Sequence, residues 1–262
     1  MRFSIITVSF NSEKTIERTI KSVLAQSYKD YEYFIVDGAS KDGTLSIVKK
    51  YEPLFDGRLK WKSEPDKGIY NAMNKGIAMA SGEVVGIVNS DDWLEPDALT
   101  RVNVCLNAHK YNEDSIYCGG IIFHTLSGDI RELNVSIDSF KSASRFYMVA
   151  GVRHPATFVP KSVYNRIGFF DESIKIAADS DFLLRCLFNG IDIIKIDGYL
   201  SNMSDGGYSN RTDIYKVAKN DRRIILKKNN VRGVKYAFQM MYWVIRKKMK
   251  MLMINTNLFK IT

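Results

Sequence analysis

The first ninety residues alternate between short apolar runs and stretches in which apolar side chains recur every three or four positions. Phe3–Ser9 reads as a buried strand, and residues 12–26 as a helix with Ile16, Ile20, Val23 and Leu24 on one face. Tyr31–Asp37 is a second strand, and the loop Gly38-Ala39-Ser40-Lys41-Asp42-Gly43 leads from it into a helix through about Tyr51. Leu59–Ser63 is a short strand, 69–80 a helix and 83–88 a fourth strand; Ser81-Gly82 between the last two suits a left-handed C-cap. Such β-α-β-α alternation with short connections predicts an α/β fold with a doubly wound, mostly parallel sheet.

Past residues 96–107 the rhythm breaks. Residues 115–125 and the turn Ser127-Gly128-Asp129 suggest an antiparallel hairpin, while 140–149 reads equally as helix or loop. A strand over 156–159, helices over Lys161–Ile167 and 179–189, and a strand over 191–196 follow. Residues 201–210 are polar and glycine-bearing and read as a mobile loop, with two helices beyond.

Composition adds three constraints. At 262 residues, 45% hydrophobic and 26% charged, the chain suits one large globular domain, or one domain with appendages. Cys105, Cys118 and Cys186 are widely spaced and flanked by apolar residues, which suits buried free thiols in a reducing compartment rather than a disulfide framework or a zinc site. No signal-peptide pattern opens the sequence and no run approaches the roughly 18 apolar residues of a spanning helix, so the expected location is the cytoplasm.

Charge is unevenly placed. Residues 211–262 hold 14 Lys/Arg against 2 Asp/Glu, leaving 24 against 27 in the rest of the chain. Lys227-Lys228, Arg232, Lys235 and Arg246-Lys247-Lys248-Met249-Lys250 alternate with blocks such as Met240-Met241-Tyr242-Trp243-Val244-Ile245. A basic helix interleaved with Trp, Phe and Met suits the plane of an anionic bilayer, peripheral on the inner face of the membrane. A helix packed on the domain with its lysines in water is the competing reading; nucleic acid is not the expected partner.

Candidate chemistry concentrates where Val84-Val85-Gly86-Ile87-Val88 runs into Asn89-Ser90-Asp91-Asp92. In open α/β sheets, ligands bind outside the carboxyl ends of the strands. Two adjacent carboxylates there repel each other unless a cation or hydrogen-bond donors compensate. Mg²⁺ or Mn²⁺ with a substrate diphosphate meets that need, since such ions take one or two carboxylates plus phosphate oxygens. The simpler reading makes Ser90 or Asp91 a cap for the helix after Pro96.

Ordered segments around this pair resemble the inverting nucleotide-sugar glycosyltransferases of family 2. They are Ile5-Ile6-Thr7-Val8-Ser9-Phe10-Asn11, Val36-Asp37-Gly38-Ala39-Ser40-Lys41-Asp42-Gly43-Thr44, the stretch from Glu64-Pro65-Asp66-Lys67-Gly68 to Asn74-Lys75-Gly76, the stretch from Ser81-Gly82-Glu83 to Asp91-Asp92, and Ala178-Asp179-Ser180-Asp181. The resemblance implies a GT-A fold, a Rossmann-like doubly wound sheet with a nucleotide-sugar half over 1–110, an acceptor half over 111–210 and a basic helical tail over 211–262. It implies donor contacts from Thr7, Ser9, Phe10, Asp37, Gly68, Asn74 and Asp91, with Phe10 stacking on a uridine-type base and Asp37 accepting from its ring N–H. Asp92, helped by Asp91, would hold Mn²⁺ or Mg²⁺ against the departing diphosphate.

The same resemblance assigns the base that deprotonates the acceptor hydroxyl to Asp179, with Asp181 in reserve. Their competing role is to complement a helix N-terminus. Ala178 stands where the family has glutamate, and Asn89 where many relatives carry aspartate, which implies a loosely held metal. His154 falls on the acceptor side, and Asp205-Gly206-Gly207-Tyr208-Ser209 resembles a segment that closes over substrate. The implied partners are a nucleoside-diphosphate sugar, UDP foremost, and a glycan or lipid-diphosphate-linked acceptor in bacterial surface-polysaccharide assembly. The same aspartates would also serve a nucleotidyltransferase, or survive in a non-catalytic binding scaffold. A dinucleotide-binding oxidoreductase is disfavoured, because no G-x-G-x-x-G follows the first strand.

Overall fold

The computed structural model describes residues 2–205 and 214–255. Strands β1 (Phe3–Ser9), β2 (Tyr31–Asp37), β3 (Leu59–Ser63) and β4 (Val84–Ile87) pair in parallel in the order β3-β2-β1-β4. Helices α1 (Ile16–Leu24), α2 (Thr44–Tyr51) and α3 (Ile69–Met79) return the chain between them. Every residue of β1 and β2 is buried, which is why both strands read as nearly unbroken apolar runs. Alternation along the strands divides the core. Ile6, Val8, Phe34 and Val36 pack with Met73 and Ile77 of α3, whereas Ile5, Tyr33 and Ile35 pack with Ile16, Ile20 and Val23 of α1 and Val48 of α2.

The chain continues through β5 (Trp93–Leu94), α4 (Ala98–Ala108), β6 (Ser115–His124), β7 (Ile130–Leu133), α5 (Ile137–Ser144), β8 (Thr157–Pro160), α6 (Lys161–Ile167), α7 (Ala178–Phe188) and β9 (Asp192–Ser204). One sheet results, in the order β3-β2-β1-β4-β8-β6-β9-β5 with β7 on β6. Six strands share one direction and β5, β7 and β8 oppose it, so the expected α/β, mostly parallel sheet is present. Helices α8 (Tyr215–Lys228) and α9 (Gly233–Asn255) follow. Asp221 ties α8 down by accepting from the Lys175 and Ile176 N–H groups. Arg222 does the same by donating to the carbonyls of Phe146 and Tyr147. Among the described residues no helix is long and apolar enough to cross a membrane.

Three expectations need correction. Strand β9 does not stop near 196 but runs to Ser204, because the polar Ser201 and Asn202 are buried and Asn202 bonds to His124 and Glu95. Its end pairs with β5, Trp93 opposite Asn202, which brings Ser204 to the aspartate pair. Most of the expected closing segment, 206–209, lies outside the described residues. Gly82 is no left-handed cap: α3 ends in extended backbone at Ala80 (ψ 130°). A Cβ on Gly82 would lie 2.7 Å from the Phe3 carbonyl carbon, so the glycine lets the chain pass against β1. Helix α1 begins at Ile16 rather than residue 12, since 12–15 form a turn closed by the Ser12 carbonyl.

Candidate functional site

In register, β1 and β2 end on Ser9 and Asp37. Asp37 is fully buried, and its carboxylate accepts from Ser9 Oγ (3.0 Å), Ser40 N–H (2.9 Å), Ser40 Oγ and Ser63 Oγ (2.7 Å). Four protein donors make it a knot that binds the ends of β1, β2 and β3 together. Beyond the knot, Asn11 (φ 49°) and Ala39 (φ 61°) both adopt left-handed backbone. Cross-ties hold these strained residues: Asn11 N–H to Ser40 Oγ (2.8 Å) and Lys41 N–H to Asn11 Oδ1 (2.9 Å). The turn lifts Phe10 outward, 64% exposed. Its ring and the Asp66 carboxylate border Gly38, where a Cβ would meet Asp66 Oδ2 at 3.1 Å and Phe10 Cδ2 at 3.3 Å. Asp66 Oδ1 is held by Lys75 (2.6 Å), and Oδ2 has no donor among the described residues. An aromatic face beside a side-chain-free floor and a carboxylate edge suits a planar ring with an N–H to donate. Thr7, by contrast, is fully buried under Tyr33, whose hydroxyl donates to it (2.9 Å); it belongs to the sheet and not to the cleft.

After β4 the chain makes a tight turn, with Asp92 N–H on the Asn89 carbonyl (3.1 Å) and Thr19 Oγ1 of α1 on the Asp92 carbonyl (2.6 Å). Asp92 is 2% exposed. Burial, reinforced by Asp91 beside it, pushes its carboxyl up to about 8, against the pull of Asn89, the Ser204 backbone and Arg18. Asp91 is raised too, again by burial. Arg18 lies over the Trp93 ring (3.5 Å) and donates to the Asp91 carbonyl and Ser204 Oγ, both at 2.9 Å.

The residues present fit a hard divalent ion. Two carboxylates of raised pKa resist ionisation without a cation, and Asn89 Oδ1 beside them is buried with no donor among the described residues. Among the described residues no third His, Cys, Asp or Glu joins them, so substrate oxygens would complete the shell.

A third group forms where α3 and α7 begin. Because α3 leads from β3 back to β4, its N-terminus lies at the carboxyl ends of the strands, the same edge as Asp37 and Asp91-Asp92. Gly68 precedes it with φ 130°, a conformation an L side chain rarely adopts. The Tyr70 hydroxyl donates to Asp179 Oδ1 (3.2 Å), and Ser180 N–H binds the same oxygen (2.7 Å). Asp179 Oδ2 has no donor among the described residues. Burial and the neighbouring Asp179 carboxylate hold Tyr70 well above the usual phenol range, so it stays a proton donor. His154 is buried, edge-on to Phe170 (5.5 Å); burial lowers its pKa and Asp179 opposes the shift.

Two further expected site residues, besides Thr7, lie apart from these groups. Asn74 clips α3 to the segment after α6, donating to the Phe170 carbonyl and Glu172 Oε1 and accepting from Phe170 N–H, all at 3.0 Å. Both of its amide protons are thereby committed within the fold. Asp181 is 1% exposed and paired to Arg185 (2.9 Å) and Lys228 (3.2 Å), which links α7 to α8. Conversely, Arg18, Asp66 and Tyr70 lie against the candidate residues Asp91, Phe10 and Asp179, although the pattern alone does not single them out. Asp66 and Tyr70 lie inside a recognisable motif, whereas Arg18 looks like any polar position on an amphipathic helix.

Residues 4–168 match the family described as glycosyl transferase family 2. An uncharacterised glycosyltransferase of Mycobacterium tuberculosis is 35% identical over 190 residues, covering 70% of this chain and 67% of that protein. A PGL/p-HBAD biosynthesis glycosyltransferase of Mycobacterium bovis is 30% identical over 188 residues, 71% of this chain and 70% of the relative. Among solved structures, S. aureus TarS 1-349 in complex with UDP-GlcNAc superposes with a TM-score of 0.64 at 23% identity, covering 91% of this chain and 69% of that one. The mannosyltransferase PcManGT from Pyrobaculum calidifontis, in complex with GDP-Man and Mn²⁺, gives 0.62 at 20% identity, over 88% of this chain and 65% of its own. This chain spans 41% of the longer TarS chain. At such identities the structural likeness speaks for the shared fold alone.

Proposed function

The chain belongs to glycosyl transferase family 2 and has the GT-A fold, and on that premise we propose that it moves a sugar from a nucleoside-diphosphate sugar, UDP foremost, to a hydroxyl of a glycan or lipid-linked glycan with inversion at the anomeric carbon. The observation that carries this reading is the Oδ2 of Asp179, without a donor among the described residues and set at the same sheet edge as Asp91-Asp92.

Phe10 and Gly38 receive the base, with Asp66 and the buried Asp37 knot at its edge. Asp91 and Asp92 would hold Mn²⁺ or Mg²⁺, which when bound neutralises the charge of the leaving diphosphate. Arg18 adds a fixed positive charge beside the pair. Tyr70 and the Ser180 N–H orient Asp179 by occupying Oδ1. Oδ2 takes the acceptor's hydroxyl proton as the acceptor oxygen bonds to the anomeric carbon and the bond from that carbon to the diphosphate oxygen breaks. Attack opposite the leaving group inverts the centre in one displacement, and the nucleoside diphosphate departs. His154, buried and neutral beside Asp179, shields the base on the acceptor side.

Thermal unfolding with UDP, GDP, dTDP and CMP, each with and without Mn²⁺, tests the donor half. One nucleotide should stabilise the wild type in a metal-dependent way, by about 3 kcal/mol at a hundredfold excess over Kd, and Asp92→Ala should abolish the effect. Stabilisation that survives in Asp92→Ala, or product that retains the donor's anomeric configuration, would refute the reading. Release of pyrophosphate from a nucleoside triphosphate would replace it with nucleotidyl transfer.

A further inference from the structure

Over its described side chains, helix α9 is docked along one side and exposed along the other. Trp243 and Gln239 are buried. Trp243 lies against Tyr215 (5.6 Å), and Gln239 accepts from Arg222 (3.1 Å) and donates to the Arg145 carbonyl (3.4 Å). Tyr242 stacks on Phe146 at 4.4 Å. The opposite side carries Val234, 88% exposed, followed by Phe238, Met241, Ile245 and Met249, each about half exposed. At 3.6 residues per turn these five fall within an arc of about 80°, forming a straight apolar stripe roughly four turns long. So long an uncovered row of large apolar side chains marks an interaction surface.

We infer that α9 lays this stripe into the surface of an anionic lipid bilayer while its other side stays docked on the domain. The two readings of the basic tail, membrane helix or packed helix, are therefore two faces of one helix. Charge selects the occupant. The α9 sequence holds five Lys/Arg and no Asp/Glu, and exposed Lys235 and Arg246 border the stripe. A second copy of the chain brought stripe to stripe would set cation against cation with no carboxylate in either helix to relieve it. Lipid phosphates supply the missing negative charge, and the interfacial zone accepts the Phe, Met and Ile side chains. The helix does not span: among the described residues none is apolar enough.

The test is co-sedimentation of the full chain with vesicles of pure phosphatidylcholine, and with vesicles in which about one third of the lipid is phosphatidylglycerol. Wild type should pellet with the anionic vesicles only, and less as salt is raised. The double variant Phe238→Gln/Ile245→Gln should bind about tenfold more weakly with an unchanged melting temperature, since both side chains are exposed. Equal binding by the variant, or no preference for anionic lipid in the wild type, overturns the proposal. So does a lipid-free dimer in analytical ultracentrifugation that the variant dissolves, because the stripe would then be covered by a second copy.

Discussion

Asp92 is the residue whose state depends most on what binds beside it. Its carboxyl, ordinarily near 3.8, is pushed up to about 8 by burial and by Asp91. A folded pKa above the unfolded one means the folded chain binds the extra proton between those limits. The stabilisation is complete below about pH 4 and is lost as pH rises towards about 8. The metal-free protein should therefore lose stability, on the order of a few kcal/mol at most, between pH 5 and pH 8.5, and Asp92→Asn should flatten that slope. Urea midpoints in the presence of chelator would measure both; equal slopes would refute the assignment. Divalent ions compete with this proton, so Mn²⁺ binding should strengthen over the same interval. The adjacent pair was visible in the sequence as two carboxylates after an apolar run. Its raised pKa was not, because the enclosure comes from α1 and from the end of β9, some seventy residues before and a hundred residues after.

At the scale of the element, α7 shows what periodicity leaves open. Asp179 and Asp181 sit two positions apart near the helix start, and two positions on a helix point in nearly opposite directions. The sequence marks both as acidic first-turn residues; packing separates them, one towards Tyr70 in the cleft and one towards Lys228 of α8. Asp179→Asn should lower kcat by about 100-fold or more with the melting temperature nearly unchanged. Asp181→Asn should cost roughly 2 kcal/mol of stability, because Arg185 and Lys228 lose their buried counter-charge, with kcat retained at temperatures where the variant is folded. Steady-state kinetics with denaturant titrations separates the two, and the reverse pattern would exchange their roles. Strand β9 teaches a similar lesson. Ser201-Asn202 looked like loop because polar residues rarely occupy a strand interior, yet His124 and Glu95 pair with Asn202 inside the sheet.

For the molecule as a whole, the tail depends on a few deeply placed contacts. Arg222, 4% exposed, joins α8 to the carbonyls of Phe146 and Tyr147 and to Gln239 of α9. Arg222→Ala would strand those acceptors and should destabilise the fold by about 2–4 kcal/mol. Limited proteolysis should then cut within α8 and α9 before the sheet; uniform cleavage across the chain would show that the tail is not a separately docked unit.

The sequence by itself determined the alternation of strands and helices, the mostly parallel sheet, the delivery of Asp91-Asp92 to a strand's carboxyl end, and the basic character of the tail. All of these are periodic or compositional, and each is written within a window of one or two elements. Tertiary structure alone decided that Thr7, Asn74 and Asp181 bond within the framework, that Arg18 lies beside Asp91 and Tyr70 on Asp179, and that β9 extends to Ser204. It also decided which side of α9 is bare. These outcomes depend on which polar group finds a partner across the fold, and a chain read in order carries no distance between residues 18 and 91 or between 70 and 179.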